Sequence, residues 1–316
     1  MNDKTMLDGI EPEVMKGIVS RREALRRGAF AGGALTAALR MGSAPVAIAA
    51  LSRDVYGQAP ATVVDVLLFA LLLENLEAEF YKAVLGQSSA AAVNTAFASV
   101  RATLTAQETA TFDQIRKHEV AHVAFLRTAI SGAGGTPPTY AATDFDFTGG
   151  NGSGTGPFLA ATADKAFLLA GAQAFEDTGV RAYKGQAGNL ISDNTVLEAA
   201  LRIHSVEARH AAKIRKMRSA AGAPVDPSGT ITGRQSGITG VPAPGQAVVD
   251  SIYAGATPED NTSHVVFNGS AAATLNAAML PNITGGVNSV TEAFDEPLTR
   301  EEVTAIVAPF IVGSNP

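Results

Sequence analysis

The apolar residues of this chain recur at helical spacing over four long segments. Residues 63–85 contain no internal glycine or proline, and Gly86 follows them as a stop signal. Further long helices are expected at residues 105–131, 162–186 and 193–220, with a short alanine-rich helix at 90–100. Thr105 and Glu108 have the spacing of a capping box, which predicts where the second long helix begins.

The connection between the second and third long helices is itself long. Residues 133–160 contain Pro137, Pro138 and a cluster of Gly, Ser and Thr, which exclude a continuous helix. A bundle needs such a connection when its second and third helices run parallel. The pattern therefore predicts an all-α fold, a four-helix bundle with a long crossover between helices 2 and 3.

The chain divides into three predicted regions. Residues 1–59 precede the first long helix, and residues 60–221 form the bundle. After residue 221 the composition changes to Pro, Gly, Thr and Ser, so residues 222–316 are expected to form a C-terminal extension of mixed irregular structure. Leu298 begins a segment with a capping start, and Pro309 stops it, which predicts a terminal helix that docks on the bundle.

The N-terminal region has the order of an export signal. Residues 20–26 read Ser-Arg-Arg-Glu-Ala-Leu-Arg, an apolar small-residue stretch follows to Leu51, and residues 47–49 offer a cleavage motif. The order resembles a twin-arginine signal and predicts a periplasmic or extracytoplasmic protein. Retention of the segment as a membrane anchor is a second possibility, although Arg40 interrupts the apolar run. The simplest alternative is a surface helix with chance arginines.

Charge and composition exclude several kinds of partner and metal site. The 316 residues carry a net charge of −6, with no basic domain beyond the N-terminus and few aromatic residues, which argues against a nucleic-acid partner. Because the chain has no cysteine, disulfides, iron–sulfur clusters and thiolate zinc sites are excluded. Any metal must be bound by carboxylate, imidazole or other oxygen ligands.

Two Glu-x-x-His pairs are the main chemical signal. Residues three apart on a helix project about 60° from one another, so Glu119 with His122, and Glu207 with His210, can each bind one metal. Glu74 and Glu176 lie on the other two long helices, which completes the ligand set of a two-metal bundle. Glu77 is an alternative to Glu74. This hard oxygen and nitrogen ligation suits two iron ions or, alternatively, manganese.

Two tyrosines repeat the spacing of the glutamates. Tyr81 follows Glu74, and Tyr183 follows Glu176, by seven residues, about two turns along nearly the same helix face. We take both tyrosines as candidate catalytic residues beside the metals. Their expected role is to hydrogen-bond the carboxylates, and the alternative is one-electron donation during oxidation.

Other interpretations of these residues stay open. The sequence from His118 to His122 also fits the His-Glu-x-x-His pattern of zinc metallopeptidases, in which both histidines bind zinc and Glu119 activates water. That pattern leaves the second Glu-x-x-His pair unexplained. A single Glu-x-x-His pair most often belongs to the solvent-facing side of a helix. Two such pairs, each preceded by a glutamate on another long helix, favour a metal site.

These residues resemble the ferritin-like proteins, and among them the exported group that includes the desiccation-related proteins. The resemblance runs from about residue 60 to the end and is carried by residues 73–81, 118–122 and 291–303. It implies a ferritin-like bundle whose iron ligands are Glu74, Glu119, His122, Glu176, Glu207 and His210.

The resemblance also implies a range of functions. Oxidase- or peroxidase-type redox or iron-handling chemistry would use dioxygen or peroxide as substrate. The long extension argues against mineral storage in a cage. The alternative is a non-catalytic structural, stress-protective or accessory protein, with a membrane complex as partner if the N-terminal segment is retained. A homo-oligomer is compatible with either function.

Overall fold

The computed structural model describes residues 61–267, 272–280 and 284–313. The predicted export segment lies outside the described residues. The described helices and strands, in chain order, are α1 Val63–Leu85, α2 Ala91–Ala96, α3 Ala98–Arg101, α4 Ala106–Gly132, α5 Lys165–Gln186, α6 Asn194–Ala220, α7 Ala243–Ala254, β1 Ser263–Phe267, β2 Ala272–Asn276, α8 Gly286–Thr291 and α9 Arg300–Val307. The domain is mostly helical, as the apolar pattern predicts.

The long helices begin and end at residues that satisfy their free backbone groups. At the start of α1, the Thr62 hydroxyl accepts a hydrogen bond from the Asp65 N–H, and the Asp65 carboxylate accepts one from the Thr62 N–H. Gly86 ends α1 in the left-handed conformation at φ 74°. Thr105 begins α4 with the predicted capping box. The bounds predicted for the first long helix are confirmed, and those for the second are confirmed to within a residue.

Two of the predicted helices differ from those in the structure. Because the Asp164 side chain caps α5, that helix begins at Lys165, and residues 159–162 form a separate 3₁₀ turn. The helix predicted at residues 90–100 is interrupted at Phe97, whose backbone leaves the helical region between α2 and α3. Phe97 itself is 1% exposed, so the break turns an aromatic side chain into the core.

The long helices share an aromatic core. The Phe80 ring on α1 lies 5.1 Å from the Phe175 ring on α5 and 5.6 Å from Phe147 in the long connection. Phe112 on α4 contacts Tyr81 at 5.7 Å. Edge-on aromatic contacts of this kind add to the free energy gained by burial. The core therefore joins three long helices and the connection.

The long connection is ordered around one carboxylate. Asp146 accepts hydrogen bonds from the backbone N–H groups of Thr148, Gly152 and Gly154 at 2.9–3.0 Å. Burial opposes ionisation of Asp146, but the Thr148 hydroxyl, which donates to it at 2.6 Å, and these backbone bonds hold its pKa below the usual value. Its own N–H donates to the Phe310 carbonyl at 2.8 Å, which ties the connection to the C-terminal extension. A glycine-rich segment is thereby fixed against the C-terminal extension.

The C-terminal extension has more regular structure than the sequence predicts. Helix α7 is present where only a short apolar run was expected. The Pro242 carbonyl accepts its first backbone hydrogen bonds, and Pro244 lies in its first turn, where proline is accepted. Strands β1 and β2 form an antiparallel hairpin with Ser263 opposite Asn276. The predicted terminal helix is confirmed as α9, which begins with a Thr299 capping box.

Among the described residues, no helix combines the length and apolar character needed to cross a membrane.

Candidate metal centre

The six candidate ligands lie on four long helices. Glu74 comes from α1, Glu119 and His122 from α4, Glu176 from α5, and Glu207 and His210 from α6. All four glutamates are fully buried and His210 is 5% exposed, so water cannot solvate these carboxylates freely. Helical spacing of three residues brings each histidine onto the face that carries its glutamate.

The first cluster consists of Glu74, Glu119, His122 and Glu207, whose candidate ligand atoms all lie within 4.8 Å of one another. The imidazole Nδ1 of His122 is 3.0 Å from Glu74 Oε2 and 3.0 Å from Glu119 Oε2. It lies 3.4 Å from Glu207 Oε1. One nitrogen and three carboxylates therefore converge on one position.

The second cluster consists of Glu119, Glu176, Glu207 and His210, again with all candidate atoms within 4.8 Å. The Nδ1 of His210 is 2.9 Å from Glu119 Oε1 and 3.2 Å from Glu176 Oε2. Because Glu119 and Glu207 belong to both clusters, the two positions adjoin and share two carboxylates. Glu74 with His122 and Glu176 with His210 are specific to one position each.

The unpartnered atoms of this centre fit a metal. Buried Glu119 Oε1, Glu176 Oε2, His210 Nδ1 and both carboxylate oxygens of Glu207 accept or donate no hydrogen bond among the described residues. His210 Nδ1 and Glu119 Oε1 are close but not aligned for a hydrogen bond with each other. Lone pairs that converge on a common point without pairing are what cations require, and leaving them unpaired is costly.

Burial and crowding control the protonation of the metal-free centre. Burial raises the pKa of Glu74 to about 8, against the hydrogen bond from His122. Burial, reinforced by the charge of Glu119, holds the pKa of Glu207 well above its usual value. Burial also opposes ionisation of Glu119, but its close contacts with His122 and His210 lower that pKa to about 2.

The same surroundings favour the protonated form of the two histidines. Burial disfavours the charged imidazole, yet the neighbouring carboxylates outweigh it and raise the pKa of His122 and His210 to about 10. Protons therefore take the place of cations in the metal-free centre. Metal binding has to displace them, which couples metal affinity to pH.

Each tyrosine hydrogen-bonds the glutamate of the opposite helix. The Tyr81 hydroxyl on α1 donates to Glu176 on α5, and the Tyr183 hydroxyl on α5 donates to Glu74 on α1. Both side chains are buried. The sequence spacing placed each tyrosine near its own glutamate, whereas the close packing of α1 against α5 makes the partner helix the acceptor. The tyrosines thus orient the two carboxylates that belong to one cluster only.

Replacing Tyr81 or Tyr183 by phenylalanine is expected to leave the metal content per chain unchanged. In the metal-free protein, the free energy of unfolding should fall by roughly 1–3 kcal/mol, because a buried carboxyl group loses its hydrogen-bond donor. Denaturant titration and elemental mass spectrometry measure the two quantities. Tyr140→Phe, a half-buried tyrosine outside both clusters, is the control. Loss of metal from Tyr81→Phe or Tyr183→Phe would mean that the tyrosines are themselves ligands.

His118 lies outside both clusters and contacts His210 instead. Its Nδ1 is 2.8 Å from His210 Nε2, and the two rings stack with centroids 5.1 Å apart. Gln114 contacts the other ring nitrogen at 2.6 Å. The zinc-peptidase pattern needs His118 and His122 on one ion, but the two side chains turn to different partners. The sequence did not predict the contact with α6, since spacing within α4 does not show which helix His118 faces.

A groove of about 740 Å³ includes His122 in its lining. Its residues come from α4, α6 and the segments at their ends, and its largest apolar members are Phe125 and Ile203. Thr128, Glu198 and Arg202 contribute polar groups. The side chain of His122 is 12% exposed, unlike the fully buried glutamates. This is the size of a small-molecule site, and it gives access to the edge of the first cluster.

A family model described as the ferritin-like domain matches residues 62–220, half of the chain. The chain belongs to the ferritin-like domain family. The match ends at Ala220, the last residue of α6, so the ferritin-like domain spans α1 to α6 and the C-terminal extension lies beyond it. No curated protein and no solved structure matches the chain.

The geometry agrees with this family. Ferritin-like carboxylate proteins bind two metals with one glutamate from each of two helices and a Glu-x-x-His pair from each of the other two. In this ferritin-like domain, α1 and α5 supply the single glutamates, and α4 and α6 supply the pairs. The buried carboxylate and histidine groups could therefore bind metal.

Proposed function

We propose that this ferritin-like protein binds two iron ions, with manganese as the alternative, in the adjoining clusters and uses them for oxidase- or peroxidase-type redox chemistry. The observation that carries the proposal is the pair of clusters that share Glu119 and Glu207 while buried ligand atoms have no hydrogen-bond partner. Four glutamates balance the charge of two divalent ions, which removes the cost of burying them.

The protein's own residues have separate tasks in this proposal. Glu119 and Glu207 span the two metal positions, His122 and His210 each supply a nitrogen to one of them, and Tyr81 and Tyr183 orient the remaining glutamates. The groove beside His122 admits dioxygen or peroxide. A pair of Fe(II) ions supplies two electrons, enough to reduce dioxygen to hydrogen peroxide, or hydrogen peroxide to water, with uptake of two protons.

We also propose the topology of a ferritin-like four-helix bundle with a long crossover between its second and third long helices. Lys165, the first residue of α5, lies 3.3 Å from Glu108 in the first turn of α4. Contact between two N-terminal ends supports a parallel course for these helices. The connection of residues 133–164 would then cross the length of the bundle.

Export and membership of the desiccation-related group belong to the same proposal. The support is the order of basic, apolar and small residues before residue 60 and the sequence resemblance over residues 291–303. Fractionation of cells that express the full chain, with Arg21 and Arg22 both replaced by lysine as the comparison, tests export. An unchanged extracytoplasmic fraction in the lysine variant would contradict the twin-arginine route.

Two measurements test the metal chemistry. Elemental mass spectrometry of freshly purified protein should find about two iron or manganese ions per chain. Addition of Fe(II) to the metal-free protein should then consume dioxygen or peroxide faster than Fe(II) alone. Two bound metals without such consumption would favour the structural, stress-protective or accessory role. One zinc ion per chain would favour a peptidase, and absence of metal would contradict the proposed centre.

A further inference from the structure

A fifth buried carboxylate lies beside the two clusters. Glu77 follows Glu74 by one turn of α1 and is 4% exposed. It differs from Glu79 on the same helix, whose carboxylate pairs with Lys82 at 2.6 Å. The charges that act on Glu77 most strongly are the carboxylates of Glu176 and Glu119, two residues of the second cluster. A buried acid surrounded by acids is costly as an anion, so it either holds a proton or needs a cation that joins the carboxylates.

The position of Glu77 depends on a missing side chain in α5. Glu74, Glu77 and Tyr81 on α1 have the same spacing as Glu176, Gly179 and Tyr183 on α5. The two helices thus match at the glutamate and the tyrosine but differ in between. A Cβ atom on Gly179 would lie 3.0 Å from Glu77 Oε1 and 3.0 Å from Glu207 Oε2. Glycine at this point therefore leaves the space that these two carboxylates occupy.

Glu207 provides independent evidence that this space faces the metal centre. Both Glu207 oxygens are buried without a hydrogen-bond partner among the described residues. One of them, Oε2, shares the Gly179 space with Glu77. Glu207 itself belongs to both clusters. Glu77 thus lies next to a carboxylate that both clusters share, and the charge of Glu176, which belongs to the second cluster only, acts on it more strongly than that of Glu74, which belongs to the first only.

We propose that Glu77 is a fifth carboxylate ligand of the metal pair, acting at the position formed by Glu176, Glu207 and His210, in the space left by Gly179. This inference rests on the proposed two-metal centre. It makes the two metal positions inequivalent, since Glu74 and His122 lack a counterpart of Glu77. Five carboxylates exceed the charge of two divalent ions, so Glu77 favours the oxidised, more highly charged pair.

Titration of the metal-free protein with Co(II), followed by visible absorption, tests the proposal without any catalytic assay. Wild-type protein should bind two Co(II) ions with distinct spectra. Glu77→Gln should weaken one of the two by at least about tenfold and change the spectrum of that ion only, because one ligand is lost. Unchanged affinities and spectra in a folded Glu77→Gln protein would overturn the assignment.

Gly179→Ala supplies a second route to the same answer. The new methyl group should displace the Glu77 carboxylate and weaken the same Co(II) ion. The methyl group also approaches Glu207, so Gly179→Ala is compared with the double variant Glu77→Gln/Gly179→Ala. In the Glu77→Gln background, the loss of Co(II) affinity that Gly179→Ala causes through Glu77 must disappear. Fully additive effects would overturn the proposal.

Gly171→Ala is the matched control. It makes the same substitution in the same helix, at a position where a Cβ atom meets nothing within 4 Å. Its Co(II) affinities and spectra should equal those of wild type. If wild-type protein binds no Co(II) pair, the proposed function fails. If wild-type protein binds two Co(II) ions and the Glu77→Gln variant binds them with the same affinities and spectra, only the proposed role of Glu77 fails.

Discussion

Replacing Glu207 by glutamine is expected to abolish paired metal binding while leaving the metal-free protein nearly as stable as before. Glu207 contributes to both clusters, so its loss affects both metal positions. In the metal-free protein, however, burial holds its pKa well above the usual value, which favours the uncharged acid. A glutamine amide has nearly the same shape and the same lack of charge.

The measurement is thermal unfolding of the metal-free and metal-loaded protein, together with metal content. A ligand present at about 100 times its dissociation constant stabilises a protein by about 2.7 kcal/mol. For a domain of this size that corresponds to a rise in Tm of roughly 5–10 °C. Wild-type protein should show such a rise, and Glu207→Gln should show none.

Glu198→Gln is the control for this substitution. Glu198 lies on the same helix but is exposed and pairs only with Arg202 at the surface. It should retain both the metal and the rise in Tm. A Glu207→Gln protein that keeps two metal ions would contradict the shared-carboxylate arrangement.

Glu119→Gln should behave differently from Glu207→Gln. Glu119 is also shared by both clusters, but its pKa is lowered to about 2, so it is the ionised partner of His122 and His210 in the metal-free protein. Glutamine cannot balance two protonated imidazoles. The variant should therefore lose metal and also lose stability without metal, which separates the two shared carboxylates by experiment.

The sequence predicts those features that depend on spacing within one helix. The end of α1 follows from Gly86 and the start of α4 from Thr105 with Glu108, residues that act on neighbouring backbone groups. The Glu-x-x-His pairs are readable because three residues bring two side chains onto one face. Spacing along the chain is therefore enough to select the ligand candidates.

Features that depend on packing between helices cannot be predicted from spacing along the chain. The acceptor of Tyr81 is Glu176, 95 residues away, because α1 packs against α5. The space that Glu77 fills exists because residue 179 on another helix is glycine. The strands β1 and β2 have five residues each, and the strand formers of β1, Val265 to Phe267, stand in a continuous run, so neither strand shows an alternating period in the sequence.

The contact of the extension with the bundle is another feature of this kind, and it depends largely on Arg181. This side chain on α5 is 1% exposed. Its guanidinium donates hydrogen bonds to the backbone carbonyls of Ile252, Thr257 and Glu296, and it lies 2.6 Å from Glu259 Oε1. Two separate segments of the extension, residues 252–259 and the residues around Glu296, therefore meet at one cation on α5.

Burial raises the pKa of Glu259 to about 8 although the charge of Arg181 opposes it, so the pair is ionised above that pH. Replacing Arg181 by methionine is expected to lower the free energy of unfolding above pH 8 by about 3–5 kcal/mol, the cost of breaking a buried ion pair by removing one partner. Methionine keeps much of the volume, so the effect comes from the unpaired Glu259 and the lost carbonyl donors. Denaturant titration measures it. Arg202→Met is the control, because that arginine is in an exposed pair, and surface pairs contribute about 0–1 kcal/mol.

A second variant shows which interaction carries the effect. Glu259→Gln in the Arg181→Met background should recover part of the lost stability, because the double variant no longer buries an unpaired carboxylate. Additive losses would mean that the three carbonyl bonds, rather than the ion pair, dominate. Either result assigns the docking of the extension to Arg181, whereas an Arg181→Met protein as stable as Arg202→Met would show that the apolar contacts of Phe310 with Phe158 and Phe175 suffice.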